Sequence, residues 1–306
     1  MGRINRTFLF SCICIIFIFG CGDQAKEPKP EKANYQTTLN IGLIPEHDLF
    51  YQLKRYEALS DYLSKKIQAN IKLVILTRYG NIVDNFVSGG LDAAFFGSFT
   101  YTLAHSKIGV EVIARPENNL GVSEYYGMII SRKDSGIKNI KDMEGKIFAF
   151  VDKATTAGYL FPLAYFKENG VNNYKTFLKE TYFTGTHEDA IYDVLNGKAD
   201  IGAAKNTVYF READKDPRIK NELHIIAESS KVPENGLAVR KDLDESVKKK
   251  LKETLMNMHK ESEGQQALND LGALKFIETT DFDYVNVHKL LKQIGINLST
   301  YEYMNE

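Results

Sequence analysis

Tryptophan is absent from the 306 residues, and the only cysteines are Cys12, Cys14 and Cys21. The chain beyond Cys21 therefore carries no thiol, which excludes disulfides, cysteine-ligated zinc and a cysteine nucleophile there. Charge of one sign is also lacking: 39 Lys and Arg stand against 40 Asp and Glu, with no basic block. That balance argues against nucleic acid as a partner. No H-E-x-x-H, G-x-S-x-G or G-x-x-x-x-G-K-[ST] occurs, so the common zinc-hydrolase, serine-hydrolase and phosphate-loop chemistries have no foothold. His187, Glu188 and Asp189 are adjacent, but on a helix they point to different faces, a poor arrangement for a metal. The expectation is a protein that is not an enzyme and needs no cofactor or metal.

Long hydrophobic runs are confined to Phe8–Phe19. Arg3 and Arg6 precede that run and Gly20-Cys21 follows it, the pattern of a secretory signal too short to span a bilayer comfortably. The end, Ile18-Phe19-Gly20-Cys21, resembles a bacterial lipobox, in which the cysteine becomes the acylated first residue; Phe19 is bulkier than usual there. Residues 1–20 are thus expected to be a lipoprotein signal peptide, Cys21 the lipidation site, and 21–38 a polar, Pro-punctuated tether to the cell membrane. Without Arg3 and Arg6 the basic count falls from 39 to 37, a net of −3.

From Leu39 onward apolar strands alternate with amphipathic segments. LNIGLI is followed by a helix near Phe50–Ile67 with Leu53, Tyr56, Leu59, Leu63 and Ile67 at helical spacing, then by IKLVIL, a helix over Tyr79–Val87, LDAAFF, and a helix opened by Gly97-Ser98. The pattern is α/β with a largely parallel sheet. A second set begins at Tyr125 and runs through DIGAA, Asp200–Ala204. Leu223–Ala227 is expected to return the chain to the first set, with helical segments after it. One lobe would comprise 39–116 and 223–306 and the other 117–222, with two crossover strands and a ligand cleft between them. In such folds ligands bind beyond the carboxyl ends of strands, where helices start.

The stretch Lys153–Gly170, KATTAGYLFPLAYFKENG, follows the apolar run IFAFV and opens a helix. Thr155 and Thr156 stand at that start as plain caps or as donors, beside unpaired N–H groups, to a small oxyanion.

Four segments together resemble the phosphate/phosphite/phosphonate solute-binding proteins of ABC importers: Gly42-Leu43-Ile44-Pro45, FFGSFTYTLAH (Phe95–His105), TTAGYLFP (Thr155–Pro162) and HEDAIYDVLNGKADIGAA (His187–Ala204). The resemblance implies a two-lobed type II periplasmic-binding-protein fold, an extracytoplasmic location, a membrane permease and ATPase as partners, and no catalysis. A monomer suffices for a hinged clamp. The family's Ser-Thr-Ser run falls on Thr155, Thr156 and Ala157, so one hydroxyl is missing. His187 matches a ligand-contacting histidine, and Tyr79 and Tyr125 match ligand-reaching tyrosines, positions otherwise open to capping or packing. Ser98 and Thr100 are further donors or caps. The resemblance also places Asn206 and Asn235 where relatives that take aminoalkylphosphonates carry carboxylates. That departure points to phosphite, phosphate or a small alkylphosphonate unless Glu234 turns inward. Lys205 is expected to be solvated, with compensation of the anion's charge as its alternative role. A sulfonate, an organic acid or a thiamine-precursor-like ligand remains open on the same fold, as does a sensor reporting to a membrane kinase.

Overall fold

The alternation at Leu39 becomes strand β1 (Thr38–Leu43), which buries Leu39, Ile41 and Leu43 on alternate positions. The structure, a computed structural model, describes residues 35–46, 49–88 and 90–305 together with Gly2. The expected signal, the Cys21 lipidation site and most of the tether lie outside the described residues. Among those described, no helix is long and apolar enough to cross a membrane.

After β1 come α1 (Leu49–Ile67), β2 (Asn70–Ile75), α2 (Asn81–Val87), β3 (Ala93–Phe96), α3 (Ser98–Ile108) and β4 (Glu111–Asn118). Tyr56, Leu59, Leu63 and Ile67 form the buried stripe of α1. Leu53 does not join it: Gln52 is buried instead, donating its side-chain N–H to the Ile44 carbonyl. Next are β5 (Glu124–Tyr125), β6 (Gly127–Arg132), β7 (Ile147–Phe150), α4 (Phe161–Glu168), α5 (Tyr174–Phe177) and β8 (Glu180–Phe183). Then follow α6 (His187–Leu195), β9 (Ile201–Lys205), α7 (Asn206–Lys215), α8 (Arg218–Glu222), β10 (Leu223–Glu228), β11 (Val232–Pro233) and β12 (Gly236–Val239). The chain closes with α9 (Glu245–Asn257), α10 (Ser262–Leu271), β13 (Ala273–Glu278) and α11 (Val285–Ile294).

The first sheet has six strands in the order β13-β4-β12-β3-β1-β2, and the second has five in the order β10-β6-β9-β7-β8. Each is mixed rather than largely parallel. In the first, β1 pairs parallel with β2 and β3, but β12 runs antiparallel to β3 and β4, and β13 antiparallel to β4. The reason is topological: the returning chain enters the first sheet from the opposite direction. Strand β10 also differs from expectation. It pairs antiparallel with β6 and extends the second sheet, so the return comes later, through β11. There β11 and β5 form a two-stranded ribbon, with Val232 opposite Tyr125 and Pro233 opposite Glu124. These are the two crossing segments between the lobes.

One apolar cluster belongs to the first lobe, centred on Leu43, Leu59, Phe95 and Leu251, and another to the second, around Ile130, Ile191 and Val208. A third draws residues from both lobes, among them Phe96, Phe99, Phe148 and Phe150. The C-terminal residues also join the lobes. Tyr303 donates to Asp84 of α2, while Tyr301 donates to the Lys153 carbonyl and Asn305 donates to Asp152.

Candidate ligand-binding site

Each segment that reaches the cleft does so just beyond a strand or where a helix begins. Glu46 follows β1, and Tyr79 lies in the turn before α2. Gly97 and Thr100 sit where β3 gives way to α3, and Thr155 and Thr156 follow β7. His187 begins α6, Lys205 ends β9, and Tyr125 and Asn235 come from the crossover. Those ten residues line one cavity of about 10 Å³, the room of about one water molecule.

The turn after β7 is held from within. The buried Asp152 accepts the Ala154 N–H at 2.8 Å, and its carbonyl accepts Thr155 Oγ1 at 2.7 Å. Burial raises the Asp152 carboxyl above its ordinary range. Residues 156–160 then form a wide π turn that runs into α4, with the Phe161 N–H bonded to the Thr156 carbonyl. Gly158 is needed here, because a Cβ would lie 2.5 Å from Val151 Cγ2 and 2.8 Å from Thr155 Oγ1. The first N–H groups of this helical run have no partner inside it. Across the cleft, Thr156 Oγ1 accepts the Phe99 N–H at 3.0 Å, and Thr100 Oγ1 donates to the Ala154 carbonyl at 3.0 Å. Both hydroxyls thus bridge the lobes directly.

His187 is buried, and its Nδ1 accepts the Lys205 backbone N–H at 3.2 Å. The proton of the neutral ring is therefore on Nε2, as a donor. Burial pushes its pKa down to about 3, with Lys205 and Arg211 acting in the same direction and Glu46 against it, so the ring is uncharged at neutral pH. The Tyr79 ring packs edge-on against it, centroids 6.0 Å apart. The Tyr79 hydroxyl is buried without a hydrogen-bond partner, and burial followed by the Glu46 charge raises its pKa well above the ordinary value. A buried chamber lined by hydrogen-bond donors, with an unsatisfied hydroxyl among them, is suited to hydrogen-bonding a small oxyanion.

Of the residues singled out in the sequence, Tyr79, Thr100, Tyr125, Thr155, Thr156, His187 and Asn235 come together around this cavity. Ser98, Ala157 and Asn206 do not. Ser98 Oγ donates to the Pro233 carbonyl at 2.6 Å and lies 3.2 Å from the Tyr125 hydroxyl, fixing the crossover ribbon. The side chain of Ala157 abuts the backbone of β6; a Cβ on Gly127 would lie 3.2 Å from the Ala157 Cβ. The missing third hydroxyl is thus a methyl packed against a strand. Asn206 spends its Oδ1 on the Tyr126 N–H at 2.9 Å, which ties α7 to the second sheet.

Lys205 departs most from expectation, being buried rather than solvated. Its Nζ is 3.0 Å from Glu46 Oε1, bonded to Glu234 Oε1, and 4.4 Å from the Tyr125 ring centroid. Burial alone would lower its pKa, but the Glu234 and Glu46 carboxylates outweigh it and keep the ammonium charged. Glu46 was not singled out at all. The signal was available: it directly follows Pro45, just past the carboxyl end of β1 in the cleft-forming sheet.

A family model described as "ABC transporter, phosphonate, periplasmic substrate-binding protein" matches residues 41–284. The phosphate-import protein PhnD of Mycolicibacterium smegmatis is 24% identical over 216 residues, covering 67% of each chain. The probable ABC transporter phosphite-binding protein PhnD1 of Prochlorococcus marinus is 23% identical over 274 residues, 84% of this chain and 90% of that one. The structure of PhnD1 in complex with methylphosphonate superposes with a TM-score of 0.75 at 23% identity, covering 85% of this chain and 98% of the other. A binding-protein component of an ABC phosphonate transporter from Pseudomonas aeruginosa gives 0.77 at 23% identity, covering 84% and 87%. The two-lobed fold is that of these proteins.

Proposed function

Since this chain belongs to the periplasmic substrate-binding proteins of ABC phosphonate transporters, we propose that its cleft captures a small phosphorus oxyanion: phosphite, phosphate or a short alkylphosphonate. The single observation that carries this reading is the convergence of the unpartnered Tyr79 hydroxyl, the neutral His187 and the hydroxyls of Thr155 and Thr156 on one buried cavity. On this reading Thr156, Thr155 once its hydroxyl leaves the Asp152 carbonyl, and the first N–H groups of their helical run hold one oxygen face. Tyr79 and His187 Nε2 donate to the other. Tyr125 and Asn235 bound the space around the phosphorus substituent.

A cavity of about 10 Å³ is smaller than any such ligand, so capture begins with the lobes apart. Thr156 and Thr100 then exchange bonds across the cleft for bonds to the anion. Because the ligand touches both lobes only when they close, its differential affinity drives closure. The closed form delivers the anion to a permease and ATPase in the membrane. Anchorage of the chain through a lipid on Cys21 belongs to the same reading.

Isothermal calorimetry of the purified protein with phosphite, phosphate, methylphosphonate, sulfate and taurine tests the proposal. Binding of a phosphorus oxyanion, weakened by His187→Ala, is the expected result. Binding of sulfate or taurine with none of the three phosphorus anions would overturn it.

A further inference from the structure

Lys205 stands at a boundary. Glu46, Lys205 and Asn235 line both the inner cavity and a second, outer chamber of about 360 Å³, which also takes in Arg55, Arg211 and Glu234. The Lys205 ammonium therefore sits between the place for the oxyanion and the only larger space adjoining it among the described cavities. Its surroundings come from three parts of the fold: Glu46 from the first lobe, Glu234 and the Tyr125 ring from the crossover, and β9 of the second lobe behind it. Two carboxylates and an aromatic face are the chemistry by which proteins hold an organic ammonium. Here the protein supplies that ammonium itself.

We propose that Lys205 acts as a tethered surrogate for a ligand amino group, filling the subsite formed by Glu46, Glu234 and Tyr125 and so restricting the cleft to phosphorus oxyanions without a cationic substituent. The inference rests on the function proposed above, since it assumes that a phosphorus oxyanion lies in the inner cavity. An aminoalkylphosphonate entering the site would bring a second ammonium against the Lys205 Nζ, where both available carboxylates are already engaged. Two like charges at such a distance repel strongly where water is excluded. A methyl group or a P–H bond brings no such conflict. With Lys205 shortened, the carboxylates would face an open channel to the outer chamber and would hold the ligand's own ammonium in its place.

The test is calorimetric titration of wild type and Lys205→Ala with phosphite, methylphosphonate and 2-aminoethylphosphonate. Wild type is expected to bind phosphite or methylphosphonate at least tenfold more tightly than 2-aminoethylphosphonate. Lys205→Ala is expected to gain at least tenfold for 2-aminoethylphosphonate and to prefer it. Removing one partner of a buried ion cluster is destabilising, so Lys205→Ala/Glu234→Gln, which leaves one carboxylate, serves if the single variant does not fold. A cation with a merely structural role would weaken all three ligands together rather than invert their order. The proposal fails, with the proposed function intact, if wild type binds phosphite or methylphosphonate but the variants gain nothing for 2-aminoethylphosphonate. It fails too if wild type already takes that ligand as well as methylphosphonate. If wild type binds none of the three and phosphate does not bind either, the proposed function falls and this inference with it.

Discussion

Acid should destabilise the protein through His187 in a way that a single substitution removes. In the folded chain burial holds this imidazole at about 3, against an ordinary value of 6.5. As pH falls through 6.5 the unfolded chain takes up a proton that the folded chain refuses until about pH 3. Stability is therefore lost on acidification across that window, not gained. For a single group with these two values, the loss between about pH 7 and about pH 5 integrates to roughly 2 kcal/mol. His187→Gln keeps an amide donor but cannot titrate. The absence of tryptophan makes far-UV circular dichroism the convenient probe, and urea unfolding of both proteins at the two pH values gives the comparison. Carboxylates common to both proteins cancel in the difference. Wild type should lose about 2 kcal/mol more than the variant. Equal losses would refute the assignment of His187 as a buried neutral ring.

Two further substitutions separate the roles of neighbouring groups. Tyr79→Phe removes a buried hydroxyl that no protein group satisfies, so the free protein should hold or gain up to about 1 kcal/mol. In the same variant, affinity for the phosphorus anion should drop roughly tenfold. Unfolding and calorimetry together check this, and a stability loss above about 1 kcal/mol would mean that the hydroxyl is already paired. Gly158→Ala would drive a methyl into Val151 and Thr155 Oγ1, costing about 1–3 kcal/mol. Unchanged thermal unfolding of that variant would contradict the tight approach of the π turn to its strand.

Much of this architecture can be read from the amino acids, because strands and helices alternate with clear periods. Helix α1, the strand LDAAFF and the helix start at Thr155 needed no tertiary information. Strand direction did not follow in the same way. Nothing local in Leu223–Glu228 tells whether it pairs with β6 or with the first sheet, and β13 hides in a short run, ALKFIE, after two helices. At the site, His187, Tyr79 and Tyr125 stood out only through the family resemblance, whereas Thr155 and Thr156 stood out by their position at a helix start. Ser98 and Asn206 share that position but turn to the crossover ribbon and to Tyr126, a choice made by packing. Lys205 was misjudged for a related reason. A lysine belongs in water unless paired, and its partners, Glu46 and Glu234, lie 159 and 29 residues away in the chain.

The last residues of the polypeptide have a consequence for how the molecule is made. Asn305 Oδ1 accepts the Lys153 N–H at 3.0 Å and its Nδ2 donates to Asp152 at 2.9 Å, on the turn that leads into Thr155 and Thr156. During synthesis that turn is produced 152 residues before the side chain that braces it. Until Asn305 has been added and has folded back, the nascent turn lacks this brace, so Thr155 and Thr156 reach their final setting late, after the intervening strands and helices have been made.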